Sequence, residues 1–207
     1  MQPKPPDNID TLPVMEQFYT IQGEGHFAGT AAYFIRLGGC DVGCVWCDVK
    51  ESWDAEIHLK ISVVELSETA AASGAPCCVI TGGEPAMYDL TALTGALKEK
   101  GMRVHIETSA AHPLRGYFDW VCISPKKFKF PLESEMKKAD ELKIVVFNKS
   151  DFEWAEQWAG QVKSECICLL QPEWDKRDTV APIMVEYVKS HPGWKISLQT
   201  HKYLGVP

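Results

Sequence analysis

Six short apolar runs set the frame for this chain. Residues 33–37, 77–80, 103–106, 120–123, 142–146 and 166–170 are mostly rich in β-branched residues and are bounded by Gly, Pro or charge, which is how strands read. Helical periods lie between them. Val63, Leu66 and Ala70 share a face, as do Leu90, Leu93 and Leu97 ahead of Gly101. Trp154 and Trp158 are four apart, and Val180, Ile183, Met184, Tyr187 and Val188 follow the helical spacing up to Pro192-Gly193. Such alternation implies βαβ units and a parallel sheet. Six strands are too few for a closed eight-stranded barrel. The expected fold is therefore α/β, an open partial (β/α) barrel of about six parallel strands.

In folds of this kind chemistry gathers at the C-terminal ends of the strands. Five of the six runs are followed by glycine-rich, polar or charged residues: Gly38-Gly39-Cys40, Thr81-Gly82-Gly83-Glu84-Pro85, Glu107-Thr108-Ser109, Ser124-Pro125-Lys126 and Gln171-Pro172-Glu173.

The chain has 207 residues, a formal charge of −7 and eight cysteines. The length suits one domain. Residues 1–12 are polar and proline-rich and read as a flexible lead-in, leaving 13–207 as a single domain. An acidic chain offers no field for nucleic acid or anionic lipid. The start lacks an apolar signal segment, so a cytoplasmic location is expected. Cysteines in a reducing compartment need a role other than disulfides.

Cys40, Cys44 and Cys47 supply it. Their spacing is C-x3-C-x2-C, in a loop after the first run. A structural zinc site wants four protein ligands, and no fourth Cys or His lies in this loop. Iron–sulfur clusters of the 4Fe-4S type usually take four cysteines. Three leave one iron open to a substrate or cofactor, which points to catalysis. Cys77, Cys78, Cys122, Cys166 and Cys168 lie within the apolar runs and read as small core residues. The histidines show no ligand spacing.

The cysteine loop, with Trp46 before its third cysteine, resembles the signature of the radical S-adenosylmethionine (SAM) superfamily. Thr81-Gly82-Gly83-Glu84-Pro85 resembles that superfamily's second motif. Ile21-Gln22-Gly23-Glu24-Gly25, the Phe34-x-Arg36-x-x-Gly39-Cys40 pattern, Ser124-Pro125-Lys126, Gln171-Pro172 and a terminal Pro207 resemble the 7-carboxy-7-deazaguanine synthases within it. The likeness spans residues 14 to 207.

The resemblance implies a radical SAM barrel with reduced helix content, a 4Fe-4S cluster on Cys40, Cys44 and Cys47, and SAM on the open iron. It implies ring contraction of 6-carboxy-5,6,7,8-tetrahydropterin to 7-carboxy-7-deazaguanine with loss of ammonia, started by a 5′-deoxyadenosyl radical, in queuosine or related deazapurine biosynthesis. Ile21, Gln22, Gly23, Glu24, Arg36, Thr81 and the Pro207 carboxylate fall to the pterin. Gly83, Glu107, Ser109, Ser124, Pro125, Lys126, Gln171, Pro172, Glu173 and Trp174 fall to SAM. Asp48 falls to a Mg²⁺ ion. The family often has Thr after Cys-Asp, and here Val49 offers no oxygen to a hard cation. The implied partners are a free pterin, a one-electron donor such as flavodoxin or ferredoxin, and a second copy in a homodimer.

Two other readings stay open on the residues alone. A glycyl-radical-activating enzyme shares the cysteine loop and a Gly-Glu-Gly segment. A non-catalytic iron–sulfur or zinc protein shares the thiols, but gives no reason for the charged strand ends.

Overall fold

The computed structural model describes residues 11–207. Among the described residues nine strands form one sheet. They are β1 (Thr11–Ile21), β2 (Ala31–Leu37), β3 (Leu59–Ser62), β4 (Cys77–Gly82), β5 (Arg103–Thr108), β6 (Trp120–Ile123), β7 (Glu141–Val146), β8 (Ile167–Pro172) and β9 (Trp194–Ile196). Their order is β3-β1-β2-β4-β5-β6-β7-β8-β9. Pairing from β2 through β9 is parallel, and β1 pairs antiparallel with both β2 and β3.

The α/β partial barrel expected from the sequence is present, with seven parallel strands rather than about six. The three unexpected strands carry weak signals. β1 contains Pro13, which normally demotes a run, and a register shift between Val14 and Glu16 breaks its alternation. β3 has four residues and β9 three. Two boundaries also move. Thr11 and Leu12 belong to β1, with Leu12 fully buried, so the lead-in expected over 1–12 runs too far; the rest of it lies outside the described residues. Cys166 precedes β8 instead of opening it.

Helices α1 (Val63–Ala72), α2 (Thr91–Glu99), α3 (Glu133–Met136), α4 (Asp151–Ala159), α5 (Arg177–Ser190) and α6 (Thr200–Leu204) complete the chain. α1 starts where the Ser62 hydroxyl accepts the Glu65 N–H at 3.1 Å. Just past α2, Gly101 takes the left-handed conformation, φ +78°. Tyr33, Ile35, Cys78, Ile80, Val104, Ile106, Leu142 and Ile144 pack with Leu66, Leu93, Leu97, Trp158 and Met184 in one core. Side chains alternate along a strand, so Val79, His105, Cys122 and Lys143 face the opposite, inner side.

The loop between β1 and β2 crosses this inner face and fills its N-terminal end. The His26 ring stacks on Trp120 at 5.3 Å, and Phe27 meets Trp120 edge-on at 4.9 Å. The buried Glu141 carboxylate accepts the His26 N–H at 3.0 Å and the Trp120 indole N–H at 3.3 Å. Burial, then the nearby Arg103, pulls His105 down to about 4, so the ring packs there neutral. With that end plugged, the open space lies at the C-terminal ends of the strands.

Candidate active site

A cavity of about 210 Å³ opens there. One wall is the cysteine loop. Cys40, Cys44 and Cys47 all line it and all are free thiols. The loop is held by its backbone: Ser52 O accepts the Gly39 N–H at 2.6 Å, and Trp53 O accepts the Cys40 N–H at 3.0 Å. Val42, Cys44 and Ala111 form a small apolar cluster with Trp46 packed against it. Burial raises the Cys40 thiol and lifts Cys44 to about 11, so a bound metal must displace protons to be held. Three thiols on one short loop fit a cluster that takes one thiolate on each of three irons.

The second motif sits directly behind. A Cβ on Gly83 would strike Gly39 O and come within 2.8 Å of the Cys40 Cβ. Only glycine lets the turn after β4 lie this close to the cysteine loop. Glu84 is buried and is spent on structure. Its carboxylate accepts the Thr108 hydroxyl, the Ser109 N–H at 2.8 Å, the Ser109 hydroxyl and the Ala86 N–H at 3.0 Å. The ends of β4 and β5 are thereby tied together. Ser109 lines the cavity, but its hydroxyl proton goes to Glu84.

An ionic network crosses the inner face. Lys143, with 3% of its side chain exposed, donates to Glu24 at 2.5 Å and to Glu107 at 2.7 Å. Each carboxylate has a carboxamide on its other oxygen: Gln22 donates to Glu107 at 2.9 Å, and Gln199 to Glu24 at 2.8 Å. Burial opposes the charge of Lys143, but Glu107 and Glu24 outweigh it and hold the ammonium well above its usual range. Burial likewise opposes the charge of Glu24; Lys143 reverses this and takes Glu24 down to about 2. The group is thus a fixed cation between two carboxylates, with acceptor capacity left toward the cavity.

The far wall comes from β6, β8 and the residues beyond them. Lys126 donates to the Ser124 hydroxyl at 2.5 Å and lies 5.4 Å over the Trp46 ring. Gln171 accepts from Ser197 at 2.9 Å, and Glu173 caps the following turn through Lys176 N at 3.0 Å. Trp174 carries Arg177 at 4.4 Å and Lys202 at 5.0 Å over its ring, with Tyr203 edge-on at 5.3 Å. α6 therefore stands at the rim.

Fifteen of the sequence-predicted site residues line this cavity: Glu24, Cys40, Cys44, Cys47, Asp48, Thr81, Gly83, Glu107, Ser109, Ser124, Lys126, Gln171, Pro172, Glu173 and Trp174. Six do not. Ile21 ends β1, and Gln22 reaches the site through Glu107 and through the Glu24 N–H, which it accepts at 3.1 Å. Gly23 lies under α6, its carbonyl accepting both the N–H and the hydroxyl of Thr200 at 2.8 Å. Pro125 is buried, its carbonyl facing the Trp154 indole at 3.4 Å. Pro207 is exposed beyond α6. Arg36 is level with Thr81 in the sheet, but its guanidinium pairs with Glu16 at 2.6 Å outside the lining. Asp48 is paired with Lys202 at 2.8 Å.

Lys143, Trp53 and Gln199 line the cavity without having been singled out. Lys143 did leave a signal: a charge in the middle of the run Leu142-Lys143-Ile144. A lysine inside a buried strand needs a partner. Trp53 and Gln199 sit in segments with no apolar period to place them.

Residues 34–140 match the radical SAM superfamily. The 7-carboxy-7-deazaguanine synthase of Flavobacterium psychrophilum is 52% identical over 96% of this chain and 94% of its own length. The enzyme of that name from Synechocystis is 46% identical over 95% and 94%. The crystal structure of QueE from Escherichia coli superposes with a TM-score of 0.82 at 32% identity, covering 92% of this chain and 95% of that one. The superfamily match takes in the cysteine loop and the turn after β4, and the relatives match nearly the whole chain. On that basis the chain belongs to the 7-carboxy-7-deazaguanine synthase family of the radical SAM superfamily.

Proposed function

We propose that this chain contracts the ring of 6-carboxy-5,6,7,8-tetrahydropterin to give 7-carboxy-7-deazaguanine and ammonia, for queuosine or a related deazapurine. The observation that carries this is a near full-length match to enzymes named for that product, on a chain whose three free thiols and strand ends enclose one cavity. A radical SAM enzyme works with a 4Fe-4S cluster, SAM, a small-molecule substrate and a one-electron reductant; flavodoxin or ferredoxin is the reductant proposed here. When bound, cluster and SAM supply reversible removal of a hydrogen atom from the pterin.

The protein's part is placement. Cys40, Cys44 and Cys47 would hold three irons, and Gly83, whose missing Cβ lets its turn pack against Gly39 and Cys40, would set the backbone that meets SAM beside them. Glu107, Ser109, Ser124, Pro125, Lys126 and residues 171–174 form the SAM side. Ile21, Gln22, Gly23, Glu24 and Thr81 form the pterin side, where Glu24, kept ionised by Lys143, accepts from the pterin's donor edge. Arg36 serves the pterin carboxylate, exchanging Glu16 for it beside Thr81. The Pro207 carboxylate, just beyond α6 at the rim, is assigned to the pterin's donor edge as well. A homodimer in the cytoplasm completes the proposal.

The test is anaerobic turnover. Reconstituted protein with SAM, reductant and the carboxy-tetrahydropterin should release the deazaguanine and ammonia without another protein. SAM cleavage that requires a protein partner would instead indicate a glycyl-radical activase.

Mg²⁺ dependence should be weak. Val49 has no oxygen for the ion, and Lys202 already neutralises Asp48. Adding Mg²⁺ to chelator-treated enzyme should change turnover by less than about twofold, whereas Val49→Thr, which restores an oxygen ligand, should raise that response. Complete loss on chelation, restored by Mg²⁺, would refute the weak dependence.

A further inference from the structure

The Ser197 hydroxyl joins two walls of the cavity from behind. Ser197 is buried just past β9, and its N–H is held by Leu170 O of β8 at 2.8 Å. Its Oγ accepts the Gly25 N–H at 2.9 Å and donates to Gln171 Oε1 at 2.9 Å. Gly25 follows Glu24, on the wall assigned to the pterin. Gln171 belongs to β8, on the wall assigned to SAM. Glu24 and Gln171 both line the cavity.

This bridge fixes which way the Gln171 carboxamide points. A backbone N–H can only donate, so Gly25 takes a lone pair of the hydroxyl and leaves its proton for Gln171. The amide oxygen is therefore the end tied to Ser197, and the NH2 is left for another acceptor. Glu24 is that acceptor. Burial opposes the charge on its carboxylate, whereas Lys143, Gln199 and Gln171 all favour it. A carboxamide turned the other way would set its oxygen against the carboxylate and disfavour the charge. The same bridge pins the Glu24 backbone. Gln22 Oε1 accepts the Glu24 N–H at 3.1 Å, and Ser197 holds the next N–H along the chain. Gly25 is left-handed, φ +70°, and a Cβ there would strike the Glu141 carboxylate, so the loop has no room to shift.

We propose that Ser197 is a positioning residue for the substrate: by turning the Gln171 NH2 toward Glu24 and holding Gly25, it aims the Glu24 carboxylate at the 2-amino edge of the pterin. The inference rests on the functional reading above and deepens it, giving the Gln171 side chain to the pterin. Ser197 acts through Glu24 on one edge of one ligand, and so its loss should be felt by that edge alone.

The experiment titrates two unreactive aromatic ligands into cluster- and SAM-loaded holoenzyme. 6-Carboxypterin carries the 2-amino donor; 6-carboxylumazine has an oxygen in its place. The wild type should prefer the pterin by about tenfold or more, the scale of a hydrogen bond to a charged group. Ser197→Ala should weaken 6-carboxypterin about tenfold and shrink that preference to within about threefold. SAM binding to the cluster-loaded protein should stay within about twofold. General damage to the cavity would weaken both pteridines alike and keep the preference. A preference that survives in the variant, one that is absent from the wild type, or a loss of SAM affinity as large as that of the pterin would overturn the proposal. If the alanine variant loses iron, Gln171→Met, which removes the oriented amide and keeps Ser197, decides by the same titrations. If the wild-type enzyme binds neither pteridine, the functional reading falls, and this inference with it. If it binds 6-carboxypterin and the variants match it, only this inference falls.

Discussion

Lys143→Met should destabilise the protein by roughly 3–5 kcal/mol, the cost of breaking a buried ion pair from one side, and should lose turnover as the two carboxylates at the cavity are released. Methionine keeps the volume but leaves Glu24 and Glu107 facing each other without a cation. The pH dependence separates this from simple packing damage. In the wild type, Glu24 is held at about 2, below its ordinary 4.5, by Lys143 against burial. Its contribution to stability is complete above about pH 4.5 and is lost as the pH falls toward 2. Without Lys143 only the burial remains dominant, and it favours the protonated acid. The sign reverses: the variant should gain stability as the pH drops from 8 to 5, while the wild type should not. Melting temperatures of the two proteins across that range check this. A parallel pair of curves would show that Lys143 does not govern Glu24. Lys143→Arg, which keeps the charge, should recover part of the lost activity.

Gly83→Ala should lose most of its iron. The added methyl meets the backbone of Gly39, and backbone cannot step aside as the tip of a flexible side chain can. The strain falls on Cys40, so the cysteine loop should shift while the core behind α1 and α2 stays folded. Iron and sulfide analysis after anaerobic reconstitution, read beside a melting curve, makes the distinction. The melting temperature should fall by only about 2–8 °C, the effect of roughly 1–2 kcal/mol in a domain of this size. Full iron content in this variant would mean that the second motif does not fix the position of the cysteine loop.

What the sequence made legible, and what it hid, follows from the range of each interaction. The parallel strands were readable because a strand buried on both faces shows as a short continuous apolar run. The cysteine loop was readable because three ligands lie on one local segment. β1 was missed because its stability comes from two neighbours, β2 and β3, and not from its own pattern. The role of Glu84 was hidden for a similar reason: its partners Thr108 and Ser109 arrive from the next strand. Arg36 and Pro207 show the opposite case. Resemblance gave them ligand roles, whereas the structure places Arg36 on Glu16 and Pro207 in solvent. Ser197 had no sequence signal at all, since a bridging hydroxyl is visible only once both of its partners have been placed.

The rim of the cavity joins residues from opposite ends of the chain. Gly25 N meets the Ser197 hydroxyl, Gln199 meets Glu24 and Thr200 meets Gly23, across 172, 175 and 177 residues. Loop-closure entropy grows only logarithmically, so such spans cost about 0.6 kcal/mol more for each doubling of length. The cost is in time. Contacts this distant in sequence wait for the intervening strands to find one another. The rim is therefore expected to fasten after the sheet has assembled, which would make the binding cavity a late product of folding.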